Sequence, residues 1–252
     1  MISSSTKKWI EYKVSAMIAN SYSPEQHTNI KFLTLMACHS DRVLKKFTII
    51  NNINKVNFKN NDIVIINSEN TPFGASIREE SKNIVKEYIE VANDINTLDI
   101  GKFMIGLEKY NYLNYDFVVF INDSIIITNP INHFYNIMLK RNHDLFGINS
   151  SQQIKYHYQS YLFGIKSSAI IKLINFYQLK KPLLNSGYNG VVNNIELELC
   201  NNFENKGCFL DFALIPEIKN EDRYIFKLGM IYDILVKTGL FPLTKVRMVK
   251  KI

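Results

Sequence analysis

Disulfides cannot be the scaffold of this chain. It has three cysteines in 252 residues, an odd number. Cys38, Cys200 and Cys208 show no CxxC spacing, so a structural zinc site is not expected either. Six prolines and ten glycines are too few for collagen or a proline-rich linker. No apolar run approaches the roughly 18–20 residues of a membrane span. The opening residues, MISSSTKKWIEYK, lack the apolar centre of a secretory signal, so the expectation is a soluble, cytoplasmic protein with free thiols. Acidic residues are in deficit, 23 against 30 Lys and Arg, for a net charge of +7. Sparse positive charge suits phosphate-bearing ligands or an anionic surface, and it also suits plain solubility. A short basic tail, Lys245–Lys251, leaves weak contact with a membrane surface open. The motifs GxxxxGK[ST], GxGxxG, HExxH and GxSxG are all missing.

The chain is rich in apolar residues, 46%, which excludes intrinsic disorder. The length suits one large domain, or two small ones sharing a core. Ile, Asn and Lys are abundant, a bias of AT-rich genomes that fits a low-GC bacterium or a large DNA virus in its host's cytoplasm. The many Asn residues are therefore discounted individually. Residues 1–28 read as a polar extension with one helical stretch near Trp9–Ile18. Apolar runs at Lys31–Ala37, Asp62–Asn67, Tyr88–Val91, Tyr115–Ile121, Leu145–Asn149 and Phe209–Ile215 predict strands. Between them, amphipathic spacing predicts helices after Asp41, over about 75–86, over Asp99–Tyr110, Ile131–Lys140 and Ser167–Gln178, and over Val191–Asn205. A last helix is predicted near Phe226–Thr238. Buried strands interleaved with helices predict an α/β fold, a mainly parallel sheet with helices on both faces. Ligands then bind beyond the carboxyl ends of the strands.

Four constellations stand where such a site belongs. Asn122-Asp123-Ser124 follows the clearest strand, and one carboxylate there suits a Mg²⁺ or Mn²⁺ on a diphosphate. The same residues also make an ordinary turn. Asp99 is placed to cap the next helix, and Gly101 would let a ligand approach the backbone. In Lys155–Tyr161, read as part of a strand to Ile165, alternation puts His157, Gln159 and Tyr161 on one face, a row of sugar-binding groups or an ordinary edge strand. Glu196 has Val192, Leu199, Cys200 and Phe203 as helical neighbours, so it is read into the apolar stripe, where a raised pKa would suit a general base. Ser40 or Asp41 is placed to cap the helix after the first strand. Cys38 beside His39 hints at a nucleophile pair, although neighbours on a strand point oppositely.

The stretch DFVVFINDSIIITNPINHF, followed by LFGIN and IKYHYQSYLFGIKSSAI, resembles the rhamnan synthesis protein F family of glycosyltransferases. Asp99-Ile100-Gly101 is similar to that family's Asp-x-Gly, and Ile195–Cys200 to its Tyr-Glu-x-x-Leu-Ser, which sets the family's glutamate on Glu196. The resemblance implies a Rossmann-like GT-A fold in one domain: an extension over 1–28, a catalytic core over 31–215 and a helical tail over 216–252. It implies inverting transfer of a hexose, such as rhamnose from a dTDP-activated donor, to a hydroxyl of a glycan acceptor in polysaccharide synthesis. Nucleic acid is not among the implied partners. The family's DxD reads Ile121-Asn122-Asp123 here, so the first carboxylate is missing and Mn²⁺ or Mg²⁺ would rest on Asp123. Donor-binding residues implied are Ser40, Asp41, Ser68, Asp99, Gly101, Lys102, Asn122, Asp123 and Ser124. His157, Gln159 and Tyr161 would line the sugar or acceptor site, and Glu196 would be the base. A non-catalytic carbohydrate- or nucleotide-binding module is the alternative that the incomplete DxD supports.

Overall fold

Alternation along the strands decides which helices cover which face. In the computed structural model, which describes residues 29–129, 131–152, 154–211 and 241–246, strand β1 spans Phe32–Cys38 and is buried throughout. Phe32 and Met36 point into one apolar cluster, and Leu33, Leu35 and Ala37 into another. The same split recurs in β2 (Asn61–Ser68) and β4 (Phe117–Asn122), where Ile63, Ile65, Val119 and Ile121 face the first cluster and Val64, Ile66, Val118 and Phe120 the second. A strand apolar on both sides must be covered on both sides. Helices α1 (Val43–Val56), α2 (Gly74–Ser81) and α4 (Asn132–Lys140) contribute to the first cluster. Helices α3 (Leu98–Lys109) and α5 (Ile170–Lys180), with the helical segment 188–202, close the second.

The strands form a mixed eight-stranded sheet. Strand β3 (Glu87–Val91), β2, β1 and β4 run parallel in that order. Strand β8 (Leu162–Lys166) pairs antiparallel with β4, and β6 (Leu145–Ser151) pairs antiparallel with β8. Strand β7 (His157–Tyr158) continues along β6, and β9 (Lys206–Leu210) lies parallel to β6. The expected α/β fold with helices on both faces is thus present. A short strand β5, Ile125–Ile127, pairs with β10, Leu243–Lys245, in a separate two-stranded sheet that the sequence reading did not foresee.

Local differences have local causes. Neither Ser40 nor Asp41 caps α1, whose N-cap is Arg42 with no side-chain bond. The hydroxyl of Ser40 instead lies 2.7 Å from Thr71 Oγ1. The stretch 155–165 is not one strand, because pairing with β6 breaks at residues 159–161. The last predicted strand begins earlier, at Lys206, and ends at Leu210; its predicted part over 212–215, the helices predicted at 9–18 and 226–238, and most of the basic tail lie outside the described residues. Among the described residues no helix is long and apolar enough to cross a membrane.

The second cluster is keyed by aromatic contacts. Phe120 stacks on Phe163 with centroids 4.6 Å apart and meets Phe103 edge-on at 5.1 Å. Gly106 lets α3 close down on the sheet, since a Cβ there would lie 2.7 Å from Ile66 Cδ1. Phe120 is fully buried, so Phe120→Ala is expected to cost about 3–5 kcal/mol. Urea unfolding followed by circular dichroism measures it; a loss below about 1 kcal/mol would mean that the two faces do not share one cooperative core.

Candidate functional site

After β1 the chain winds outward through β2 and β3, then returns to place β4 on the other edge of β1. The connections leave β1 and β4 in opposite directions, which opens a crevice at their carboxyl ends. The turn Asn122-Asp123-Ser124 closes β4 at this point, beside Cys38 and His39 at the end of β1. The Asp123 amide donates to the Ala37 carbonyl at 3.2 Å, and the His39 amide donates to Asp123 Oδ2 at 2.6 Å.

Asp123 is only 6% exposed, and a buried carboxylate needs a countercharge. Lys45, on the first turn of α1, supplies it through an ion pair with Oδ1. The Lys45 ammonium also donates to the Asp123 carbonyl at 2.9 Å. Asn122 spreads the network: its Nδ2 donates to Asp99 Oδ2 at 2.8 Å, and its Oδ1 accepts from the Ser124 hydroxyl at 2.6 Å. Lys102, buried on α3, donates to the Cys38 carbonyl at 2.6 Å. Lys245, on β10, donates to the Ser124 hydroxyl at 3.1 Å and holds its ammonium 3.8 Å from the centre of the Tyr161 ring.

The structure therefore brings together Asp99, Lys102, Asn122, Asp123, Ser124 and Tyr161. Tyr161 joins through its carbonyl, which accepts from the Asn122 amide at 3.1 Å. Ser40 sits one layer out, where Asn67 accepts its amide at 3.2 Å and donates to its hydroxyl at 3.0 Å. Asp41 and Ser68 stand further away; Asp41 pairs with Arg42, and Ser68 donates to Asn93 at 3.2 Å. His157 and Gln159 do share a side, with Nε2 atoms 3.4 Å apart.

Three local readings need correction. Asp99 does not cap α3, because the helix begins at Leu98 with Thr97 as its N-cap, and the carboxylate turns to Asn122. Gly101 makes room for the Thr97 side chain, whose Oγ1 would be 2.1 Å from a Cβ. Glu196 is not in the apolar stripe: residues 192–196 form a π-helical turn, which shifts the buried positions to Val191, Ile195, Leu197, Leu199, Cys200 and Phe203. Glu196 is left half-buried at the margin. Such turns often mark functional sites, and the turn of helix that follows packs on β7.

Sequence reasoning missed Lys45 and Lys245. Lys45 had a signal, a lysine in the first helical turn after the first buried strand. Lys245 had none, since only the folded chain returns it to Ser124.

A divalent ion does not fit the residues present. Both Asp123 oxygens are engaged, one by an ammonium, and an ion on that oxygen would face Lys45 within a few ångströms. The fully buried Ile121 stands where a DxD element would have its first carboxylate, and the neighbouring Asn122 Oδ1 is taken by Ser124. Among the described residues no group of three or more His, Cys, Asp or Glu could hold a metal. Cys38 is fully buried, and that burial, with the Asp123 charge, pushes its thiol well above the ordinary value, against a nucleophilic role.

No protein-family model matches the chain. Over 115 residues it is 32% identical to the virulence protein VirA of Vibrio anguillarum, a match covering 43% of this chain and 36% of that protein. The match thus spans only about a third of the curated relative's length. Among solved structures, the glycosyltransferase GlyE of Streptococcus pneumoniae superposes with a TM-score of 0.51 at 12% identity, covering 86% of this chain and 55% of that one. The S. aureus TarS structure of residues 1–349 gives 0.46 at 12% identity over 59% of this chain and 50% of that one. The likeness to GlyE shows a shared GT-A-like fold.

Asp99 carries the site's pH dependence. Burial first, and then the Asp123 charge, raise its carboxyl from 3.8 to about 6, against the opposing pull of Lys102, Lys45 and Asn122. A carboxyl raised on folding adds stability below its unfolded value, and that stability is lost as pH climbs through about 6. Asp99→Asn is expected to raise stability at pH 8 by about 1–2 kcal/mol, after discounting for partial exposure, and to be neutral below pH 4. Urea midpoints of the two proteins at pH 4, 6 and 8 check this; an equal difference at all three would refute it.

Proposed function

We propose that this chain is a glycosyltransferase that moves a hexose from a nucleotide-sugar to a hydroxyl of a glycan, with inversion. The observation that carries the reading is the lysine-ringed Asn122-Asp123-Ser124 turn at the crevice between β1 and β4. A crevice of this kind takes nucleotides, and its ammonium groups and backbone amides suit the charge that develops on a departing diphosphate. The GlyE-like fold supports the same reading, as does the resemblance of the Asn-Asp-Ser and YHYQSY segments to the rhamnan synthesis protein F family.

In this reading Ser40, Asp41 and Ser68 border the nucleoside. Asp99, at the start of α3 beside Gly101, meets the sugar, and Lys102 braces the end of β1 beneath the diphosphate. Asn122, Asp123 and Ser124 shape the diphosphate seat. His157, Gln159 and Tyr161 line the sugar or acceptor. The acceptor hydroxyl attacks the anomeric carbon from the face opposite the nucleotide. A carbon–oxygen bond forms there, the bond to the diphosphate breaks, and the nucleoside diphosphate leaves with the electron pair. Glu196 takes the hydroxyl proton. A deoxysugar donor such as dTDP-rhamnose fits the same resemblance.

A thermal-shift screen of UDP-, GDP- and dTDP-sugars tests the reading, because a ligand of the native state raises the melting temperature. One nucleotide class is expected to raise it by several degrees, and none doing so would overturn the proposal. Glu196→Gln is expected to lower transfer at least 100-fold while leaving that shift in place. Donor binding without turnover in the unaltered protein, across glycan acceptors, would favour the non-catalytic module.

A further inference from the structure

We infer that the donor diphosphate is neutralised in this chain by lysine ammonium groups, Lys45 foremost, in place of a divalent cation. The inference rests on the reading of the crevice as a nucleotide-sugar site and specifies how that site handles charge. Lys45 bonds both the carboxylate and the carbonyl of Asp123, so its ammonium stands on the oxygens that would otherwise face an ion. Its side chain keeps 15% exposure, against 8% for that of Asp123, so solvent reaches the pair from the lysine side.

Two more ammonium groups stand nearby, one on the same turn and one at the end of β1. Lys245 arrives from β10 onto the Ser124 hydroxyl, and Lys102 rises from α3 onto the Cys38 carbonyl. With Asp99 and Asp123 as the carboxylates of the cluster, three lysines leave it with one excess positive charge. That excess favours a multivalent anion and disfavours a second cation. Asp123 becomes a positioning residue. Held by the His39 amide, it parks Lys45 in the crevice, and an arriving phosphate takes over as the partner of Lys45. Nearby polar groups at the end of β1, including a His39 Nδ1 buried with no hydrogen-bond partner among the described residues, leave room for further contacts.

The test is isothermal titration of the full chain with UDP, GDP and dTDP, first in EDTA and then in Mn²⁺. One nucleotide is expected to bind in EDTA, with an affinity that Mn²⁺ changes by less than twofold and that falls steeply with salt. Lys45→Met should weaken binding at least tenfold, and Lys45→Arg, which keeps the charge, should restore most of it. Asp123→Asn, which releases Lys45 from its internal partner, should tighten binding in EDTA severalfold. That last variant carries the test if Lys45→Met fails to fold, since a metal-dependent site would instead lose its nucleotide. Binding that appears only with Mn²⁺ and vanishes in Asp123→Asn overturns this inference and leaves the nucleotide site standing. No binding in either condition overturns the parent reading, and this one with it.

Discussion

Strand β1 is hydrogen-bonded along both edges, to β2 and to β4, and buried on both faces. That double pairing is the constraint on which the rest depends. It fixes where three strands end, with Cys38 opposite Asn67 and Ala37 opposite Asn122. With β2 on one edge of β1 and β4 on the other, the connections leave β1 and β4 in opposite directions, which is why a crevice exists there. The site is referenced to these strand ends: Asp123 through the Ala37 carbonyl, His39 through the Asp123 carboxylate, and Lys102 through the Cys38 carbonyl. A shift of one residue in the β1–β4 register would exchange the side chains packed into the two apolar clusters and move Asp123 off the Ala37 carbonyl and the His39 amide.

The electrostatics follow from burial. The buried Asp123 carboxylate takes Lys45 as its countercharge, and Lys45 is held in turn by the carboxylate and the carbonyl of the same residue. Asp99, a few bonds away through Asn122, feels the Asp123 charge and binds its proton more tightly. Of the two carboxylates in the network, Asp123 is locked in an ion pair, and Asp99 is raised to about 6 by burial and by the Asp123 charge.

Much of this was legible in the sequence, and the reasons are physical. Strands buried on both faces read as continuous apolar runs, so FLTLMAC, DIVIIN and FVVFIN were placed to within a residue or two. Residues after such strands lie at the crevice by topology alone, which is why Asp123 and Ser40 were singled out. Side-chain partners were not legible. Asp99 resembles a helix cap from spacing, but its partner Asn122 lies on another element. Glu196 was assigned by 3.6-residue geometry, and a π-helical turn cannot be read from that period. The asparagines were discounted as compositional bias, yet Asn52, Asn61, Asn67, Asn122 and Asn149 are all buried. An amide donates and accepts at once. Asn52 uses both ends on the β5 backbone, at the Ile125 carbonyl and the Ile127 amide, which no charged side chain of that size could do.

The β5–β10 ribbon shows why the site cannot be a property of any one segment. Strand β5 starts one residue after Ser124, and Asn52 on α1 holds it against the body of the fold. Strand β10 then pairs with β5 in the register that sets Lys245 opposite Ile125, and the Val246 amide donates to the Ser124 carbonyl at 2.9 Å. The ammonium thus lands on Ser124 from a stretch of chain 121 residues away. Closing so long a loop has an entropic cost that contacts at the far end must offset, and here those contacts are the β-pairing, the buried Phe241 and Leu243, and the seat of Lys245 over the Tyr161 ring. The third lysine therefore joins the crevice only when the apolar ribbon is in place, which couples the charge of the site to completion of the fold.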